Sequence, residues 1–193
     1  AHTMIHPLGV TGFIRLTALS SASDDPQGAC RPFSLNRGGF VMGEGAAMLV
    51  LESLEHARKR GATPLAEVSG FGSSADAFRI TDIQPEGEGA QAAMREALRQ
   101  AGIDPSATDE SGRPFVHYIS AHGTGTQEND SIETKSVKAV FGESASKIPM
   151  SSVKSMTGHL IAAAGALEAI VCVQSLRTGW VPPTRNLEVP DPA

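Results

Sequence analysis

Cysteine is scarce: Cys30 and Cys172 are the only two in 193 residues. Thiols so far apart do not make a disulfide framework, which excludes a small secreted disulfide scaffold and leads us to expect a reducing, cytosolic setting. Positive charge is also in short supply. With 16 Lys and Arg against 21 Asp and Glu, the net charge is −5, which gives no cationic footprint for nucleic acid or an anionic membrane. The first residues, Ala1-His2-Thr3-Met4-Ile5-His6, lack the charged segment, apolar stretch and small-residue cleavage site of a secretory signal. The longest apolar run, Leu160 to Val173, is short for a bilayer span and carries Glu168, so it reads as a buried helix. Repeats and low-complexity tracts are missing as well. What is present is ordinary globular composition, 40% hydrophobic and 19% charged, with enough length to bury one substantial core.

Helical and strand-like patterns alternate along the chain, which points to a layered α/β architecture. Ala46 to Leu51, Leu65 to Phe71 and Phe115 to Ala121 read as strands, the first and last with the character of fully buried ones. A helix is expected from about Ser53 to Arg60, closed by Gly61, and a second over the spaced apolar positions Ala90, Ala93, Met94, Ala97, Leu98 and Ala101, with Gly102 as its cap. Asp130-Ser131-Ile132-Glu133 has the form of a capping box opening a third helix that runs to Phe141 before Gly142. Two polar stretches, Ser20 to Gly39 and Ile103 to Pro114, read as ordered loops and not as domain linkers.

Two histidines stand in glycine-bearing signatures. His122 lies in Ser120-Ala121-His122-Gly123-Thr124-Gly125-Thr126, just past an expected strand, where ligands of α/β sheets collect. His159 closes Ser151-Ser152-Val153-Lys154-Ser155-Met156-Thr157-Gly158-His159, ahead of the long apolar helix. Further segments keep the same order along the chain: Arg31-Pro32-Phe33, Gly39-Phe40-Val41-Met42-Gly43-Glu44-Gly45 and Pro182-Pro183-Thr184-Arg185-Asn186-Leu187. Together they resemble the C-terminal portion of a β-ketoacyl-acyl carrier protein synthase of the ketosynthase II type.

That resemblance implies a thiolase-like α/β fold, two similar halves in five α-β-α-β-α layers, here an incomplete portion lacking most of the N-terminal half. Residues from about 1 to 60 would end the N-terminal half, and residues from about 61 to 193 would form most of the C-terminal half. The implied reaction is a decarboxylating Claisen condensation of an acyl thioester with malonyl-acyl carrier protein, in fatty-acid or polyketide elongation. Partners would be acyl carrier protein and a second subunit in a homodimer or pseudo-dimer. No metal, nucleotide or flavin cofactor is implied, because substrates ride on the phosphopantetheine arm of the carrier.

Such a condensation must stabilise negative charge on a thioester oxygen as malonyl loses carbon dioxide, and two neutral imidazoles donating N–H bonds can do this. In the family, residues matching His122 and His159 take that role, and residues matching Thr124 and Thr126 contact pantetheine. The lysine matching Lys154 is a structural and electrostatic active-site residue. Glu168 suits it as a partner, since a lone carboxylate in so apolar a helix is costly unless paired. The dipole of the helix after His159 is a candidate for keeping that imidazole neutral.

Blander readings stand beside these. Alone, either histidine would read as a hydrogen-bonded structural residue, and Thr124 and Thr126 equally suit capping of the next helix. His2, His6, His56 and His117 fall in no signature. A zinc site from His122, Asp130 and His159 has no HExxH or CxxC spacing behind it. The family's nucleophilic cysteine belongs to the N-terminal half; neither Cys30, in a loop, nor Cys172, inside the apolar helix, has its context. The alternative to an enzyme is a non-catalytic partner of the chain-length-factor kind. Retention of both histidines and Lys154 favours the enzyme.

Overall fold

The computed structural model describes residues 1–192, so the last residue of the second expected segment lies outside the described residues. Its organising element is a short parallel pair. Strand β1 (Ile119–Ser120) lies beside β2 (Met150–Ser151), with Ile119 opposite Met150 and Ser120 opposite Ser151. Bonds from Ile119 N to Pro149 O and from Ala121 N to Ser151 O, each 2.9 Å, extend the ladder. Because the strands are parallel, their carboxyl ends point the same way, and the residues that follow each strand emerge together.

Helix α3 (Glu88–Ala101) and helix α4 (Gln127–Phe141) cover this pair. Val137, Val140, Phe141 and Ile148 form the buried cluster, and Met94 and Leu98 of α3 pack onto it together with Ile119 and Met150. The helical spacing of α3's apolar residues thus buries one face against α4, and Gly102 ends the helix in the left-handed conformation. Helix α1 (Pro7–Arg15) and helix α2 (Leu54–Lys59) precede this unit in the chain. The single turn α5 (Lys154–Thr157) follows β2, and helix α6 (Ala164–Thr178) comes after a 3₁₀ turn at Ile161–Ala163.

Several expectations need correction. Ala46 to Leu51 and Leu65 to Phe71 form no strand among the described residues, and Met48, Val50 and Leu51 are 87%, 81% and 77% exposed. An apolar run has the composition of a strand, and a strand forms only where a neighbour supplies the ladder. The third expected strand contracts to β1, with Phe115 exposed. Helix α4 opens at Gln127, with Thr126 at its N-cap, so Asp130 and Glu133 lie inside the helix and do not cap it. The apolar segment Ile161–Thr178 is 18 residues, long and apolar enough to cross a membrane by length and composition. Within it only Ala163 and Ala164 are fully buried. Its inner face packs through the Leu160, Ala163, Ala164 and Leu167 cluster, and Glu168 turns toward the loop that carries Lys154.

Candidate active site

His122 follows β1 and Lys154 follows β2, so the parallel register brings both signatures to one end of the pair. His159 is held by a third extended segment: its N–H donates to Val41 O at 2.7 Å, and its own carbonyl accepts from Gly43 N at 3.0 Å. The His122 and His159 rings meet edge to face with centroids 5.5 Å apart, and Phe40 also packs edge to face against His159, at 5.0 Å.

The His159 ring has a defined tautomer. Its Nδ1 accepts from the Ile161 N–H at 3.0 Å, so the proton of the neutral ring sits on Nε2. Ile161 presents that N–H from a left-handed φ of 44°, an uncommon conformation for a β-branched residue.

Both imidazoles have pKa values lowered to about 4. Loss of hydration against the surrounding protein is the first cause for each, and the nearby Lys154 charge is the second. Both are therefore neutral at pH 7. The helix dipole is not needed for this: α6 begins at Ala164, and a dipole's influence fades within the first turn.

Lys154 is almost wholly buried. Its ammonium donates to Glu168 Oε1 and to the His122 carbonyl, each at 2.5 Å, and only 2% of its side chain meets solvent. The ion pair ties α6 to the loop after β2, and the bond to His122 O ties that loop to the one after β1.

The loop after β1 is gripped from several directions. Glu133 accepts from His122 N at 2.6 Å and from Gly123 N at 2.7 Å; burial pushes its carboxyl pKa up, opposed by these two bonds. Asp130, one turn earlier, accepts from Gly125 N at 3.1 Å and from Phe33 N at 2.7 Å. Ser152 Oγ donates to Gly123 O at 2.6 Å. Gly123 has a φ of +40°, and a Cβ there would sit 2.5 Å from Ser152 Cβ and 2.9 Å from the Phe33 ring, so no side chain fits without rearrangement. Thr124 and Thr126 turn their hydroxyls toward each other at 3.0 Å. Neither hydroxyl caps α4.

Asp130 and Glu133 are the functional residues that the sequence reading misplaced. The capping-box pattern hid them, although two acids one turn apart just after a glycine-rich loop are also what a backbone-holding helix face looks like. Cys30 is buried and its thiol donates to Lys154 O at 2.9 Å, with burial pushing its pKa up. Burial likewise raises the pKa of Cys172, inside α6. Neither is a poised thiolate.

Residues 1–57 match the description "Beta-ketoacyl synthase, N-terminal domain", and residues 65–188 match "Beta-ketoacyl synthase, C-terminal domain". The chain is 49% identical over 185 residues to a 3-oxoacyl-[acyl-carrier-protein] synthase 2 of Coxiella burnetii, which aligns with 96% of this chain and 43% of that protein. It is similar to the solved structure of a type II PKS acyl-carrier protein in complex with its ketosynthase bound to the hexaketide, with a TM-score of 0.91, 42% identity, and coverage of 100% of this chain and 45% of that one. The ishigamide ketosynthase/chain length factor gives a TM-score of 0.82 at 38% identity, covering 99% of this chain and 43% of that one. The chain thus spans less than half the length of these relatives.

Proposed function

The chain belongs to the beta-ketoacyl synthase family, and from that premise we propose that it forms part of an acyltransferase that condenses an acyl thioester with malonyl-acyl carrier protein, with loss of carbon dioxide. The observation that carries this reading is the pair of neutral imidazoles 5.5 Å apart, backed by a buried ammonium. In the reaction the malonyl carboxylate leaves as carbon dioxide, and its bonding electrons move into the thioester as an enolate. His159, whose proton sits on Nε2, and His122 then donate to the enolate oxygen. The enolate carbon attacks an acyl group carried on a cysteine thioester, and the thiolate leaves.

That cysteine is assigned to residues outside this chain, because Cys30 and Cys172 are a buried donor and a helix residue. Thr124 and Thr126 are proposed to hold the amides of the pantetheine arm with their paired hydroxyls. Lys154 and Glu168 fix the loops, and the Lys154 charge adds to burial in keeping the imidazoles neutral. The same reading divides the chain at about residue 60 between the two halves of the fold. It gives the whole protein an acyl carrier protein partner, a homodimeric or pseudo-dimeric state and a cytoplasmic location.

A second reading, a chain-length-factor-like partner, is favoured by the likeness to a ketosynthase/chain length factor structure. A subunit that only shapes a tunnel has no need of two donors with a defined tautomer, so the enzyme is the better account. The test is His122→Ala and His159→Ala in the complete polypeptide, assayed for malonyl decarboxylation and, separately, for acyl loading. Each variant should lose decarboxylation by roughly a hundredfold or more, as when one donor is removed from an oxyanion site, with loading largely intact. Normal decarboxylation by either variant overturns the assignment.

A further inference from the structure

Arg37 plays no part in the chemistry above, yet it is one of the most deeply buried charges in the chain, with 2% of its side chain exposed. Its guanidinium spreads its donors over two segments distant in sequence and its own loop. Nε donates to Thr126 O at 3.0 Å, Nη2 to Gln127 O at 2.6 Å, and Nη1 to Ser34 O at 3.1 Å and to Asp191 Oδ2. Asp130 Oδ2 lies 3.8 Å from Nε. Gln127 returns the contact, donating from Nε2 to Arg37 O.

The surroundings pull both ways: the Asp130 and Asp191 carboxylates favour a cation, and the start of α4 opposes it. Thr126 and Gln127 are the N-cap and first residue of α4, where the helix dipole repels positive charge, and a buried ion pair is weak support for stability in itself. What the arrangement achieves is geometric. Gly125 is held at its N–H by Asp130 and at its carbonyl by Gly39 N, at 2.9 Å, while the next carbonyl, that of Thr126, is held by Arg37. The peptides on either side of the Thr126 side chain are therefore fixed, and the Thr124 and Thr126 hydroxyls are left facing each other. Thr126 O also accepts the first helical bond, from Asp130 N at 3.4 Å, so Arg37 shares that acceptor with the helix.

We propose that Arg37 is a positioning residue that sets the Thr124–Thr126 hydroxyl pair in register for the pantetheine amides, and so determines how well carrier-borne substrate binds. This rests on the reading of those threonines as pantetheine contacts. A planar fork is required, since only it reaches Thr126 O, Gln127 O and Ser34 O together; a lysine keeps the charge and loses the fork.

The experiment compares Arg37→Lys, Thr126→Val and Gln127→Ala in the complete polypeptide, measuring decarboxylation of malonyl-pantetheine and of malonyl ethyl thioester, which has no amides. Arg37→Lys should raise KM for malonyl-pantetheine by about tenfold, of the order of one lost hydrogen bond, with kcat within about twofold and the ethyl thioester unaffected. Thr126→Val should do the same. Gln127→Ala, at an exposed position, should raise KM by a few-fold. If Thr126→Val raises KM while Arg37→Lys folds and does not, the role of Arg37 is overturned and the threonine reading stands. If neither raises KM, the threonine reading falls, and the Arg37 proposal with it. Should Arg37→Lys fail to fold, an unchanged KM in Gln127→Ala overturns the proposal.

Discussion

Glu168→Ala is the perturbation whose effect the structure defines most closely. Lys154 is fully buried, and its ammonium has two acceptors within reach, Glu168 Oε1 and the His122 carbonyl. Removing the carboxylate leaves a charge in a site with 2% side-chain exposure, facing one neutral oxygen. Stranding a buried charge in this way costs about 3–5 kcal/mol. Glu168→Gln keeps an acceptor and nearly the same volume, so its cost should be smaller, about 1.5–3 kcal/mol for a charge-assisted bond weakened but not emptied. Urea denaturation of the complete polypeptide, followed by circular dichroism, reads both as a lowered midpoint with an unchanged slope. A second signal follows from electrostatics. Lys154 already depresses both imidazole pKa values, and without Glu168 to balance it the depression should deepen, which histidine ring proton shifts would register. Unchanged midpoints for Glu168→Ala, together with unmoved histidine titrations, would refute the reasoning and mean that the ion pair does not form in solution.

Two more outcomes are expected. In the folded protein His122 and His159 should titrate near pH 4, against 6.5 for the ordinary group; the unfolded chain then binds more protons between those values, so stability should be full above about pH 6.5 and fall as pH drops toward 4, and ring-proton midpoints of 6 or higher would contradict this. Expressed as residues 1–193 alone, the chain should be inactive and elute as aggregate on size exclusion, because Met48, Val50, Leu51, Val68 and Phe71 are exposed on apolar segments that form no strand among the described residues; a monodisperse, cooperatively folding monomer would count against that.

The parts of this molecule legible in the sequence are those set by local rules. Helix α3 follows from the spacing of Met94 and Leu98 and the stop at Gly102, and α4 ends before Gly142 as its pattern implies. The loops bearing His122 and His159 were visible as signatures, since glycine leaves a mark wherever a backbone must bend or be approached closely. Less legible was anything decided by distant neighbours. Ala46 to Leu51 has strand composition but no ladder among the described residues. Asp130 and Glu133 look like a helix start, yet their carboxylates serve backbone N–H groups of Phe33, His122, Gly123 and Gly125, a demand that arises only once the loops have assembled. In the sequence the helix dipole is the visible candidate for a neutral His159, because the apolar helix is obvious there; the burial and the Lys154 charge that lower its pKa are not.

The grip on the His122 loop bears on how such a site could be moved or rebuilt. The imidazole is aimed through its peptide: Glu133 takes the His122 N–H and Lys154 takes its carbonyl, while Ser152 takes the carbonyl of Gly123. A graft that copied only the two rings onto another scaffold would leave those peptide groups unanswered, and the rings would swing with the loop. A faithful transplant has to carry a helix face with two acids, a serine and a lysine, and a carboxylate behind the lysine. That is more of the protein than any histidine signature spells out.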